Sequence, residues 1–122
     1  MGRIEEMLVG ASKDFDLAGR YRHAGEYTIS VLLYTEAIEK IFKAMFVRRM
    51  RKEPPSGASI DYLAMRLHTP KEIFDDETLQ YVDERGEQVK SADASGSAEE
   101  RALNLEEVAK RLLDYSMACA HA

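Results

Sequence analysis

The chain has 122 residues, 45% of them hydrophobic, and a formal net charge of −5. This size predicts one domain over residues 1–122, with enough apolar side chains to form a core without disulfides or metal ions. The acidity argues against non-specific coating of nucleic acid, and the chain lacks the apolar run of about 18 residues that a membrane span requires. The acidic N-terminus and the single cysteine, Cys119, favour a cytoplasmic protein.

The first helix is predicted over residues 3–22, because apolar side chains recur there every three or four positions. Gly25 is a typical stop signal after it. The residues expected to face inward are Ile4, Leu8, Ala11, Phe15 and Ala18, with Met7 and Leu17 beside them.

The second helix is predicted from about residue 26 to residue 52, where Pro54 and Pro55 end it. It is apolar around more of its circumference than an ordinary amphipathic helix. Such a helix must be covered from more than one side, which places it at the centre of a bundle or in a subunit contact and favours a homodimer. The wide face consists of Val31, Leu33, Tyr34, Ala37, Ile38, Ile41, Phe42, Met45 and Phe46.

Three further elements are predicted after the two prolines. Ser59 caps a short helix that ends near Leu67, and the stretch Thr69-Pro-Lys-Glu72 begins another with Ile73, Leu79 and Val82. Residues 90–97 resemble a loop, and the last helix begins at Ser97 or Asn104. Its inward-facing residues are predicted to be Leu105, Val108, Ala109, Leu112, Leu113 and Ser116. No segment alternates with period two, so the predicted fold is an all-α, antiparallel up-and-down bundle of four to five helices.

Two basic clusters are candidates for contact with an anion or RNA. A structural explanation is also available, because cations near a helix C-terminus are stabilised by the helix dipole. The alternative is a phosphate contact, since arginine can bind phosphate oxygens through two donors. The clusters are Arg20, Arg22 and His23 after the first helix, and Arg48, Arg49, Arg51 and Lys52 after the second.

The residue types needed for a metal or cofactor site do not occur in a suitable pattern. Glu36 and Glu39 share a helix face, but no histidine follows a glutamate by three, so we expect ion pairs with Lys40 and Lys43 instead. No Gly-rich phosphate loop or Cys-x-x-Cys motif occurs, and no cofactor is predicted. Cys119 is expected to be a small buried residue rather than a nucleophile.

Three segments together resemble the HEPN family (higher eukaryotes and prokaryotes nucleotide-binding domain). These are residues 11–18, residues 25–27 and residues 33–44. The most specific part is the Ala-x-Glu-Lys-x-x-Lys-Ala core of the second helix, matched by Ala37, Glu39, Lys40, Lys43 and Ala44.

The resemblance implies a helical bundle that is usually homodimeric. Many small prokaryotic members are encoded with a minimal nucleotidyltransferase and act as its partner, commonly as toxin and antitoxin. Others are metal-independent ribonucleases that use an Arg-x(4–6)-His motif across the dimer. In this chain no histidine follows an arginine at that spacing, so we predict no catalytic residue, and the sequence leaves open whether the protein is an enzyme.

The leading hypothesis is therefore a non-catalytic HEPN-like binding or partner module. It would be homodimeric and would either associate with a minimal nucleotidyltransferase or bind a nucleotide. The alternative is a metal-independent ribonuclease that uses Arg20, Arg22 and His23 together with the second basic cluster.

Overall fold

In a computed structural model, which describes residues 2–70 and 95–120, the chain forms four α-helices. They are α1 (Arg3–His23), α2 (Tyr27–Met50), α3 (Ile60–Arg66) and α4 (Ser95–Ala120). Neither described range contains a strand, which agrees with the predicted all-α fold class. The up-and-down order of the complete bundle stays a prediction. The helix predicted to contain Ile73, Leu79 and Val82, most of the predicted loop at 90–97, and the side chain of Cys119 lie outside the described residues.

Helices α1 and α2 form an antiparallel hairpin joined by a three-residue turn. Gly25 stands at the turn with φ +82°, a left-handed conformation that a residue without Cβ adopts easily. The amide of Glu26 donates to the carbonyl of Tyr21 at 2.8 Å, and the amide of Gly25 donates to that of Arg22 at 3.0 Å. These two bonds define a Schellman motif, so the predicted stop at Gly25 is confirmed.

Helix α2 lies at the centre of the described core, in contact with α1, α3 and α4. Almost all of its predicted wide face is buried within one chain, including Ala37, Phe42 and Phe46. Of the two predicted environments for this face, the centre of a bundle is the one observed, and the width of the face does not require a second subunit. A homodimer remains a prediction that needs another surface.

The flanking helices agree with most of the predicted pattern. In α1, Ala11 and Ala18 of the predicted inward stripe are fully buried, whereas Leu17, predicted to lie beside the stripe, is 40% exposed. In α4 the predicted core residues are buried, except for the half-buried Leu113. This helix begins at Ser95, before either predicted start.

The short helix α3 begins as the sequence predicts. The Ser59 side chain accepts a hydrogen bond from the amide of Tyr62 at 3.0 Å, which satisfies one of the free donors in the first turn. The helix ends with a second Schellman motif, in which His68 rather than glycine occupies the left-handed position with φ +52°.

Candidate functional site

A polar network joins three helices at the end of the bundle where α1 finishes. Arg22 of α1 donates from Nη2 to Oε2 of Glu106 in α4 at 2.7 Å. The hydroxyl of Tyr34 in α2 donates to the same oxygen at 3.0 Å, and Nε of Arg22 lies 3.5 Å from that hydroxyl. Because the three side chains come from three different helices, the network fixes their relative positions.

The network lies at the edge of the core rather than in open solvent. Tyr34 is fully buried, and its ring packs edge-on against Phe15 with centroids 5.5 Å apart. The side chains of Arg22 and Glu106 are only 18% and 31% exposed. One turn earlier on α2, the buried hydroxyl of Ser30 donates to the carbonyl of Ala18 at 2.9 Å. The two helices are thus joined by polar contacts on successive turns.

The environment stabilises one protonation state of each donor in the network. Burial raises the pKa of Tyr34 above its ordinary value of 10.0, and the hydrogen bond to Glu106 acts in the same direction. The hydrogen bond to Tyr34 raises the pKa of Arg22, and Glu106 adds to this effect. A neutral tyrosine and a charged arginine therefore both donate hydrogen bonds to the carboxylate of Glu106. This carboxylate compensates the positive charge of Arg22.

The other members of the first basic cluster take no part in this network. Nδ1 of His23 lies 3.0 Å from the carbonyl oxygen of Gly19, one turn back on the same helix. Arg20 is exposed and has no ion-pair partner among the described residues. The structure thus divides the cluster: Arg22 supports the fold, and Arg20 and His23 face solvent.

The second basic cluster is divided in a similar way. Arg48 donates to the backbone carbonyl of Ser116 in α4 at 3.2 Å, and Arg49 donates to that of Leu67 at 3.0 Å. Arg51 ends α2 in a left-handed conformation with φ +58°, and it is exposed together with Lys52. Two of the four residues therefore connect helix ends, where a cation is also favoured by the dipole.

The two clusters lie at opposite ends of the α1–α2 hairpin. His23 is adjacent to the start of α2 and Arg48 is in its last turn, so the helix rise separates them by about 30 Å. One phosphodiester cannot contact both clusters in a single chain. The ribonuclease hypothesis would therefore need a second copy to bring them together.

The family-signature residues of α2 have packing and ion-pairing roles. Ala37 and Ala44 are buried, and Lys43 pairs with Glu39 at 3.1 Å as predicted. Lys40 contacts Asp14 of α1 at 2.6 Å, so the pair predicted between Glu36 and Lys40 is not the one observed. The signature thus supports the hairpin rather than a reactive centre.

Two of the three residues in the network carry no signal in the sequence that marks them as site residues. Glu106 is 84 positions from Arg22, and no local pattern identifies it as the partner of that arginine. Tyr34 was predicted as a core residue, and only its hydroxyl contacts show its second role.

Among the described residues, no three His, Cys, Asp or Glu side chains are grouped closely enough to hold a metal ion. No helix in the described ranges has the length and apolar character to cross a membrane.

The described surface has three notable concave regions. One of about 550 Å³ lies beside the link between α2 and α3, where Arg3 and Glu53 form an ion pair at 2.7 Å. A shallow groove of about 740 Å³ runs between α1 and α4 past Phe15 and Leu113. The third, of about 380 Å³, lies where α2 and α3 end.

An α1–α2 hairpin with a long C-terminal helix packed on α2 defines an all-helical bundle domain. The sequence matches the family model described as HEPN domain over residues 4–120, and the chain belongs to the HEPN family. No curated protein and no solved structure matches it.

Proposed function

We propose that this HEPN domain is a non-catalytic module that acts by binding other proteins. It would form a homodimer and associate with a minimal nucleotidyltransferase, as the resemblance to small prokaryotic members implies. The observation that carries the proposal is the Arg22–Tyr34–Glu106 network. The hydrogen bonds within this partly buried group join three helices, so packing of the bundle explains these polar residues without a substrate contact.

The positions of the two described histidines support a non-catalytic role. General acid–base cleavage of RNA requires a titratable group held close to the reacting oxygens by its neighbours. His23 is exposed and contacts a backbone carbonyl of its own helix, and His68 lies on an exposed turn after α3. Within one chain, neither is paired with a carboxylate among the described hydrogen bonds and ion pairs.

Apolar side chains on the outer side of α2 offer a surface for a second copy. Ile29 and Leu32 are 40% and 38% exposed and lie one turn apart, so they share a helix face. A two-fold contact between such faces would bury both pairs, because an isologous interface uses the same patch on each subunit. This surface replaces the wide inner face as the argument for a dimer.

The dimer is tested by light scattering after size-exclusion chromatography. We expect the wild-type protein at twice the chain mass of 13.8 kDa. Leu32→Glu should give a monomer, because a buried unpaired charge disfavours the contact. Leu103→Glu is a matched control on α4, where Leu103 is 45% exposed. A wild-type monomer at micromolar concentration would contradict the dimer, as would a Leu32→Glu variant that remains dimeric.

The partner is tested by recovering the tagged protein from its own cells, with and without ribonuclease treatment. We expect a nucleotidyltransferase in near-equal amount in both samples. The non-catalytic role is tested separately by incubating the purified protein with RNA in the presence of a chelator. Cleavage that disappears in the His23→Ala variant would establish the ribonuclease alternative and overturn the proposal.

A further inference from the structure

Two arginines and one histidine meet around the cavity of about 380 Å³ at the end of α2 and α3. Arg49 comes from the last turn of α2, Arg66 from the last residue of α3, and His68 from the turn that follows it. The remaining lining residues are Met50 and Met65. Among the residues that the structure describes, no acidic side chain lines this cavity, in contrast to the groove between α1 and α4, which Glu106, Glu107 and Asp114 border.

Arg49 is held in place by the backbone. Its Nη1 donates to the carbonyl of Leu67 at 3.0 Å, and this carbonyl belongs to the capping residue of α3. A guanidinium has five N–H donors, so this bond leaves others available for a ligand. The contact orients the fork of Arg49, which lowers the conformational cost of binding an anion.

The helix dipole accounts for only part of this arrangement. Helices α2 and α3 both end here, and their C-terminal partial charges favour nearby cations. Arg49 already donates to the last turn of α3, yet the same cavity also contains the positive charge of Arg66 and the ring nitrogens of His68. Residues 48–70 contain five Lys or Arg and two acids, Glu53 and Asp61, in a chain of net charge −5. Glu53 pairs with Arg3, outside the cavity lining.

We propose that this cavity binds the phosphate group of a small phosphorylated ligand. Two arginines and a histidine can surround a multiply charged oxyanion, and charge-assisted hydrogen bonds of this kind are among the strongest in proteins. The volume is near the lower end of the range for small-molecule sites, about 300–1,000 Å³, which suits a compact ligand. Met50 and Met65 form an adaptable apolar wall beside the cations. The inference does not depend on the proposed partner-binding function.

The test is a titration followed by backbone amide NMR at constant ionic strength. The probes are inorganic phosphate, glycerol phosphate and adenosine monophosphate, with chloride as the blank. We expect saturable shifts confined to amides near Arg49 and residues 65–69. The order of the three affinities shows which kind of phosphorylated compound the cavity prefers. Stronger binding of adenosine monophosphate would show that the nucleoside contacts Met50 and Met65.

Two variants separate a specific site from general positive charge. Arg66→Gln removes an exposed cation without disturbing the bond between Arg49 and Leu67, and it should weaken binding about tenfold, or about 1.4 kcal/mol. His68→Asn keeps a residue type that tolerates the left-handed conformation and should weaken binding less. Lys13→Gln on the exposed side of α1 makes the same charge change and should have no effect. Equal losses in Arg66→Gln and Lys13→Gln, or no saturation at millimolar phosphate, would overturn the proposal.

Discussion

The two ends of the α1–α2 hairpin carry similar basic residues but differ in the groups that pair with their positive charges. At the end near Gly25, Arg22 is paired with Glu106 and Tyr34 in a partly buried network. At the opposite end, Arg49 donates to a backbone carbonyl, no described carboxylate pairs with it, and Arg66 is exposed beside it. We call the first end the closed end, because a carboxylate from α4 pairs with its arginine, and the second the open end, because no carboxylate of residues 2–70 or 95–120 does so there.

This difference shows that a basic cluster in a sequence has no fixed meaning until its partners are known. The helix dipole stabilises cations at the C-termini of both α1 and α2, so the local sequence does not distinguish the two clusters. The deciding residue at the closed end comes from a helix far along the chain. The comparison predicts that substitutions at the closed end mainly change stability and that those at the open end mainly change binding.

The largest effect is expected from Tyr34→Ala at the closed end. This change removes a fully buried ring and its contact with Phe15, and it should lower the free energy of unfolding by about 3–5 kcal/mol. Tyr34→Phe keeps the ring and loses only the hydroxyl contacts, at a cost of about 1 kcal/mol. Urea unfolding followed by circular dichroism measures both. Equal losses in the two variants would show that the hydroxyl, rather than the ring, stabilises this end.

Glu106→Ala should have the next largest effect, a loss of about 2 kcal/mol. It leaves Arg22 without its carboxylate in a site where both side chains are largely shielded from water. Glu107→Ala is the matched control, because Glu107 is the adjacent exposed residue and pairs with Arg111 on the same helix. That exposed pair is worth about 0.3–0.5 kcal/mol. If the two alanine variants unfold at the same urea concentration, the closed end is not held by this network.

The left-handed residues at the two ends should respond in opposite directions. Gly25→Ala places a Cβ at φ +82° and should cost about 1–2 kcal/mol. His68→Gly removes a side chain from the same kind of position at φ +52°, and it should stabilise the protein by about 0.5 kcal/mol once the added freedom of the unfolded chain is included. Thermal unfolding of both variants tests this, and destabilisation by His68→Gly would show that the His68 side chain contributes stabilising contacts.

The helices could be predicted from sequence because their signals are local. Gly25 ends α1 and Ser59 caps α3 through bonds to residues within one turn, and the periodic apolar residues of α2 identify the core helix. Leu17 shows the limit of this reasoning. It lies beside the predicted inward stripe and is 40% exposed, because the position of a neighbouring helix determines how wide the buried face is.

The candidate site could be predicted only in part, because its contacts connect distant segments. Arg22 was recognised as a candidate, whereas Glu106 and the hydroxyl of Tyr34 become relevant only when α4 packs on the hairpin. Lys40 likewise pairs with Asp14 of α1 rather than with Glu36 of its own helix, α2. The observed pair links two helices across their packed interface. Periodicity indicates which face of a helix is buried, but it does not indicate which residue lies opposite.

The smallest effect is a pH dependence at the closed end. Burial raises the pKa of Tyr34 in the folded protein above the value of 10.0 expected for an exposed tyrosine. The folded state therefore holds the phenolic proton more tightly, so its stabilising effect is complete below about pH 10 and is lost as the pH rises through the folded-state pKa. Above about pH 10, stability should fall more steeply in the wild type than in Tyr34→Phe. Tyr27→Phe, which lies outside the network, should follow the wild type, and identical slopes for wild type and Tyr34→Phe would show that the hydroxyl is not shielded at this end.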